Sequence, residues 1–501
     1  MLQKSIQATF VMLAWVASHF GYAQNDQTLA TQTISRAKIE AHIGFLASDE
    51  LKGRNTPSAE QLVAARYLAT QLQSYGAKPL PSLGSYFQPV KFKMQKKSKA
   101  KISLSFNGKN FEQSTHLLAI EANNMSANGE MVFLEYGKEE EFAKTDVKGK
   151  IVVVKAGFGE GTDARQWFAN GRKKHELAAR AGATALVELY NNPMLPWRFL
   201  VSYLSGDQLV LDKSSNQHAP INIPHLWLND PDWKEAAELQ PRAAYNAKLV
   251  IEGMEVVYLQ SPNVVAYVEG TDPKLKDEYV VYSAHYDHVG IGRPDALGDS
   301  IYNGARDNAV GTVTVLTVAE NIAKYPTKRS ALFVLFTGEE KGLLGSQWFI
   351  ENSPLPHKQM VYCFNSDNAG YNSTRIATII GLERTTAAPL IRKACAAFSL
   401  EATDDPAPEQ NLFDRSDNVN FAAVGIPAPT FSLGFTAFDD AINKYYHQPS
   451  DQPNNLDYDY LQKFFSAYVY ASRLIANAKE TPFWKPGDKY FEAGKQLYGK
   501  N

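Results

Sequence analysis

Tyr279-Val-Val-Tyr-Ser-Ala-His285 is a run of apolar and small residues that ends on an imidazole, and two later stretches repeat its form. Ala331–Phe336 (ALFVLF) runs into Thr-Gly-Glu339-Glu340, and Met360–Phe364 (MVYCF) runs into Asn365-Ser-Asp367. Continuous apolar runs of this length, followed by helix-like segments, predict parallel strands buried on both faces. In open α/β sheets, ligands bind outside the carboxyl ends of the strands. His285, Glu339, Glu340 and Asp367 are therefore expected to converge on one crevice.

Outward from these strands, the pattern stays strand–helix–strand from Pro262 to about residue 475. Residues 34–76 predict two helices, the first capped by Ser35 and the second spanning Ala59–Tyr75 before Gly76. The loop Asp49–Pro57 separates them. Between about residues 100 and 258 the chain changes character, with short runs broken by Gly, Asn and Pro and one clear helix, Lys173–Ala181. That block reads as a β-rich domain inserted into an α/β domain. The expected boundaries are 24–110 for the first part of the α/β domain, 111–260 for the insertion and 261–501 for the main part.

The chain has 501 residues, 44% apolar and 21% charged, which is the composition of a globular protein with a sizeable core. A net charge of −2 gives no reason to expect nucleic acid or an anionic membrane surface as partner. The lysine-rich stretch Lys93–Lys101 predicts a solvated hairpin edge. Lys4, the apolar core Phe10–Ala17 and Gly21-Tyr-Ala23 have the form of a secretory signal cleaved after residue 23. Export to a periplasm or the medium is the expectation, with no transmembrane segment in the mature chain. The two cysteines, Cys363 and Cys395, are expected as buried thiols, with a single disulfide as the alternative in an exported chain.

Taken singly, His285-Tyr-Asp287, Asp307-Asn308, Glu339-Glu340, Asp367 and His447 are weak signals. Asp307 and Asn308, for example, could merely cap a helix starting near Val310. Together their roles are complementary. Zinc takes histidine nitrogen and carboxylate oxygen, and a pair of ions needs a bridging carboxylate plus terminal ligands for each. Asp307 can bridge, with His285 and Asp367 on one ion and Glu340 and His447 on the other. Asp287 can orient His285 and fix its tautomer. Glu339 is left over, adjacent to a ligand and able to act as general base.

The order and context of these motifs resemble the di-zinc aminopeptidase family that includes bacterial leucyl aminopeptidases and glutamate carboxypeptidase. The matching stretches are Ser283–Gly290 (SAHYDHVG), Gly304–Gly311 (GARDNAVG), Phe336–Glu340 (FTGEE), Asn365–Gly370 (NSDNAG) and Tyr446–Asp451 (YHQPSD). The resemblance implies two Zn2+ per chain, held by His285, Asp307, Glu340, Asp367 and His447. It also implies Glu339 as the base, Asp287 as support for the first histidine, and Tyr446 as a contact to the reacting group. Leu46–Arg54 (LASDELKGR) is similar to the N-terminal hallmark of the family's secreted members. Asp146–Val154 and Ala178–Leu189 resemble a protease-associated domain. The implied fold is α/β, a mixed, largely parallel sheet sandwiched by helices, with that β-rich domain inserted.

Two positions depart from the family's pattern: Arg306 stands where many relatives have an acidic residue, and Asn418 where many have histidine in Ser-Asp-His. A surface ion pair with Asp299 or Asp295 is expected for Arg306, with contact to a substrate carboxylate as the alternative. The aromatics Trp167, Trp197, Tyr203 and Trp227 are expected in the local core of the insertion. The expected function is an exported exopeptidase acting on peptides with a free N-terminus. A carboxypeptidase of the same fold, a glutaminyl cyclase and a non-catalytic receptor-like protein are the alternatives. The carboxypeptidase would need a cationic cluster, and the receptor would predict missing ligands.

Overall fold

The computed structural model describes residues 25–159, 164–212 and 223–500; the signal-like segment 1–23 lies outside them. The chain divides into two compact units, one ending at Val90 and resuming at Ser261, the other running Lys91–Gln260. Among the described residues, no helix is long and apolar enough to cross a membrane.

The first unit is built on a sheet whose strands are β1 (Glu255–Val268, through its later residues), β2 (Tyr279–His285), β3 (Ser330–Phe336), β4 (Met360–Ser366), β5 (Ile376–Ile380), β6 (Glu401–Thr403) and β7 (Thr430–Leu433). Their order is β6-β5-β7-β4-β2-β3-β1. The central pairs β3–β2, β2–β4 and β4–β7 are parallel, whereas β1–β3 and β5–β7 are antiparallel. All seven residues of β3 and of β4 are buried, as double-sided packing requires. The register sets His285 beside Phe336, so His285 and the Gly338-Glu339-Glu340 turn leave the sheet at the same level.

Helices cover the sheet: α1 (Arg36–Leu46), α2 (Ala59–Tyr75), α3 (Gly311–Lys324), α4 (Ala388–Ala396) and α5 (Tyr458–Asn477). The Ser58 hydroxyl caps α2 by accepting from Gln61 N, and Gly76 ends it at φ 92°, the left-handed conformation glycine adopts freely. Ser35 occupies the N-cap position of α1, but its hydroxyl makes no capping bond. One core joins Leu46, Leu68, Val313, Phe333 and Phe464. Cys363 and Cys395 are both buried and free.

The second unit is an eight-stranded sheet. Four parallel strands lie at its centre: Met125–Phe133, Ile151–Lys155, Ala185–Tyr190 and His225–Asn229. The unit begins at Lys91 and not at residue 111, because Lys101–Phe106 and Lys109–Glu112 pair with one another and the former with Ala244–Glu252. Its helix, Ala164–Arg180, starts nine residues earlier than the sequence pattern suggests. Lys97 is buried and not solvated: its Nζ donates to Ala119 O, Ile120 O and Gln208 Oε1 at 2.7, 2.9 and 2.6 Å. Burial pushes that ammonium down to about 8. A second buried lysine, Lys174, bonds Glu188 Oε2 at 2.9 Å, while His225 Nε2 lies 2.7 Å from the other oxygen of Glu188. Trp167 and Trp227 are core residues as expected, but Tyr203 is 72% exposed.

Candidate metal centre

Each strand end supplies what its sequence promises. His285 closes β2, Glu339 and Glu340 follow β3 through Gly338, and Asp367 follows β4 directly. Asp307 lies in the short turn Ala305–Val310 that enters α3. The helix-cap reading holds for its neighbour: Asn308 Oδ1 accepts from Gly311 N at 3.1 Å. Asp307 itself turns to the imidazoles. His447 arrives from a distant loop with φ 51°, a left-handed conformation that costs a non-glycine residue about 1–2 kcal/mol.

Asp307 is the centre of the arrangement. Its Oδ1 is 3.3 Å from His285 Nε2 and its Oδ2 is 3.1 Å from His447 Nε2. His285 Nε2 also lies 3.2 Å from Asp367 Oδ1, and His447 Nε2 lies 3.2 Å from Glu340 Oε2. Ligand-capable atoms fall into two groups, each within 4.8 Å: His288, Asp307, Glu340 and His447, and His285, Glu339 and Asp367. The back of His285 is fixed by Asp287, though through its carbonyl, 3.1 Å from Nδ1; the carboxylate is 3.8 Å away. The Asp287 carboxylate instead accepts from Glu339 N at 3.2 Å. Tyr446 stacks on His447, ring centroids 4.1 Å apart.

The electrostatics are those of a site built for cations. Burial disfavours charge on His285, but Glu339 and Asp367 outweigh it and hold the imidazole well above its ordinary value. For His447 burial is likewise outweighed, by Asp307 and Glu340, and its value rises to about 10. Burial and Asp307 push Glu340 up, yet hydrogen bonds from His288 and His447 bring it down to about 2. Glu339 behaves oppositely to its neighbour. Burial first, then the negative charges of Asp367, Glu340 and Asp417, raise it well above the usual carboxylate range, with His285 opposing. Histidine nitrogens and carboxylate oxygens, two of the latter on one shared aspartate, form the donor set that divalent zinc accepts. So dense a buried cluster of carboxylates calls for positive charge.

Residues 263–472 match the family described as Peptidase family M28, and residues 119–232 match the PA domain. The M28 match takes in the strand ends and turns that carry His285, Asp307, Glu339, Glu340, Asp367 and His447. Aminopeptidase YwaD of Bacillus subtilis (strain 168) is 26% identical over 342 residues, which are 65% of this chain and 62% of that one. Aminopeptidase Y of Saccharomyces cerevisiae is 26% identical over 240 residues, 45% of this chain and 40% of its own length. The chain thus spans less than two thirds of the length of these curated relatives. Among solved structures, the aminopeptidase from Aneurinibacillus sp. strain AM-1 superposes with a TM-score of 0.56 at 22% identity, over 92% of this chain and 98% of that one. That likeness speaks to the fold.

The first unit brings together all eight residues singled out from the sequence, and it adds others. His288 is fully buried, with Nδ1 2.7 Å from Glu340 Oε1. Its position one residue after Asp287 in His-Tyr-Asp-His was the signal available. Arg54, from the LASDELKGR stretch, is a buried cation that donates to Tyr286 O, Asn303 O, Gly304 O and Leu46 O, bracing the backbone beneath the site. Gly53 before it is obligatory: a Cβ there would lie 2.4 Å from Tyr302 O. Asp417 is buried too, and burial raises its carboxyl to about 7. Its neighbour Asn418 turns into the core, donating to Phe413 O and Ala428 O, so this departure does not face substrate. Arg306 is not a surface residue paired with Asp295 or Asp299. It is 3% exposed and bonds Asp451 Oδ1 at 2.9 Å, because its backbone turns the side chain inward beneath the His447 loop.

Proposed function

We propose that this chain is a metal-dependent exopeptidase that hydrolyses N-terminal amino acids from peptides. The observation that carries the reading is the division of Asp307 between two imidazoles, which makes one buried carboxylate the common edge of two donor groups. In this reading His285 and Asp367 would hold one zinc ion and Glu340 and His447 the other, with Asp307 available to both. When bound, such a pair supplies Lewis-acid polarisation of a carbonyl and acidifies water.

The chain's own residues do the rest. Glu339 takes a proton from the attacking water and returns it to the departing amine, a role suited to a carboxyl that burial holds well above its ordinary range. Asp287 positions both a ligand and the base, His285 through its carbonyl and the Glu339 backbone through its carboxylate. Tyr446, packed on His447, flanks the place where the carbonyl would sit. In this reading the free amine of the substrate would be recognised by the metal centre and the carboxylates beside it, which would spare internal bonds. Arg306 is bound to Asp451 and Asn455 and so offers nothing to a substrate carboxylate, which disfavours the carboxypeptidase alternative. Export through residues 1–23 completes the proposal.

The test is mass spectrometry of a mixed peptide set, each peptide supplied with a free and an acetylated N-terminus, incubated with the zinc-loaded chain. Stepwise loss from free N-termini alone, abolished by a chelator and restored by zinc, is the expected result. Release from C-termini, or cyclisation of N-terminal glutamine, would overturn the aminopeptidase reading.

A further inference from the structure

His447 sits in a stretch held to the core by one half-buried ring, Tyr446. From Asn443 to Gln448 no side chain is buried, and His447 itself has φ 51°. A non-glycine residue keeps such a conformation only where its surroundings over-determine it. Tyr446 packs on His447 and, beside Phe438, against the core of the first unit, which gives the loop one apolar anchor but leaves its flanks to other contacts.

Arg306, next to Asp307, reaches both ends of this loop. Its guanidinium carbon lies 3.8 Å from the centroid of the Tyr445 ring, two residues before His447. Beyond His447, its NH1 donates to Asp451 Oδ1 at 2.9 Å and to Asn455 Oδ1 at 2.6 Å, and its NH2 to Asn455 O at 3.0 Å. Asp451 closes the circuit by accepting from Arg306 N at 2.9 Å and from Asp307 N at 3.2 Å. Asn455 in turn donates to Ser450 O at 2.8 Å. One planar cation thus stacks on one side of the loop and forks onto the other, with His447 between. Arginine does this and lysine cannot, since the fork and the flat face are both used.

We propose that Arg306 is a positioning residue that sets the affinity of one half of the metal centre, the half made by His447 and Glu340, by holding the His447 loop against Asp307. The proposal rests on the metal reading above and goes beyond it: the two ions become separable, the one at His285 and Asp367 independent of Arg306 and the other dependent on it.

The test is zinc binding by the whole chain, followed by calorimetry and by metal analysis after dialysis at fixed free zinc. Arg306→Met is expected to retain one zinc with wild-type affinity and to bind the second 10–100-fold more weakly, the range typical when a partner that orients a ligand is lost. Removing the cation leaves Asp451 buried without its partner, so Arg306→Lys and Tyr445→Leu accompany it. Each keeps part of the clamp and is expected to weaken only the second zinc, by a smaller factor. A purely structural role would lower the melting temperature while leaving both affinities in step. Two zinc ions held with wild-type affinity in folded Arg306→Met, or both affinities falling together in all three variants, would overturn the inference. A wild-type chain that takes up no zinc would overturn the metal reading and this inference with it.

Discussion

Glu339 and Glu340 are chemically identical neighbours for which the structure dictates opposite consequences of the same change. In Glu339→Gln an amide of nearly equal size replaces a buried carboxyl whose ionisation is opposed by burial and by Asp367, Glu340 and Asp417. The proposed ligands are untouched, so zinc content stays near two per chain. The proton shuttle is gone, and removing a general base costs roughly 10²–10⁴ in kcat, about 3–5 kcal/mol of barrier. Because a repelled negative charge has also been removed, the zinc-free variant melts no lower than the zinc-free wild type. In Glu340→Gln the outcome reverses. Both carboxylate oxygens are engaged, Oε1 with His288 Nδ1 at 2.7 Å and Oε2 with His447 Nε2 at 3.2 Å. An amide offers one oxygen and no charge, so zinc at this half is weakened by more than the 10–100-fold that loss of a mere outer partner costs. Initial rates on an N-terminally free dipeptide amide, with zinc measured on the same samples, separate the two. The reasoning is refuted if Glu339→Gln turns over normally, or if Glu340→Gln keeps two tightly held ions.

Other expectations can be read at the bench. His288→Phe keeps a ring in place but removes the bond to Glu340 Oε1, and should weaken one zinc about 10–100-fold in competition with a chelator; an unchanged competition curve would deny His288 that role. Gly304→Ala places a Cβ 2.2 Å from Asp307 O and 2.6 Å from the His288 ring at φ 61°, and should lower both the melting temperature and zinc content. In the second unit, Glu188 is brought down to about 2 from its ordinary 4.5, as Lys174 and His225 outweigh its burial. A carboxylate depressed by folding contributes stability that is present above its unfolded value and lost as pH falls through the folded one, here between 4.5 and about 2. The contribution at neutral pH is about 3 kcal/mol, so Glu188→Gln should shift urea unfolding by that amount at pH 7 and by little at pH 2; equal shifts at both would exclude the linkage.

The strands that decide the fold were legible because burial on both faces leaves no polar position to confuse the pattern, and β2, β3 and β4 lie where the apolar runs lie. The convergence of His285, Glu339, Glu340 and Asp367 followed from topology alone. What sequence could not reveal were pairings made across long separations. Arg306 meets Asp451, 145 residues on, and a local reading naturally sought nearer carboxylates. Lys97 looked solvated among its lysine neighbours, since nothing local shows that Ala119, Ile120 and Gln208 supply acceptors. The start of the second unit was misplaced for the same reason: Lys101–Phe106 finds its partner strand in Ala244–Glu252. His288 was overlooked because a fully buried histidine beside a ligand motif has no periodicity to mark it.

The division of the chain also sets an order of events during synthesis. Helices α1 and α2 pack in a core shared with α3, yet more than two hundred residues separate the end of α2 from the first turn of α3. At the ribosome's pace of about 5–20 residues per second, that is roughly 10–50 s during which Leu46, Leu68 and Leu72 lack that cover. The intervening residues Lys91–Gln260 suffer no such delay, because every strand of their sheet lies within their own span. The half of the metal centre that contains His447 waits longest, since His447 follows His285 by about 160 residues. The nascent protein therefore carries a finished PA domain well before it has anywhere to put a metal ion.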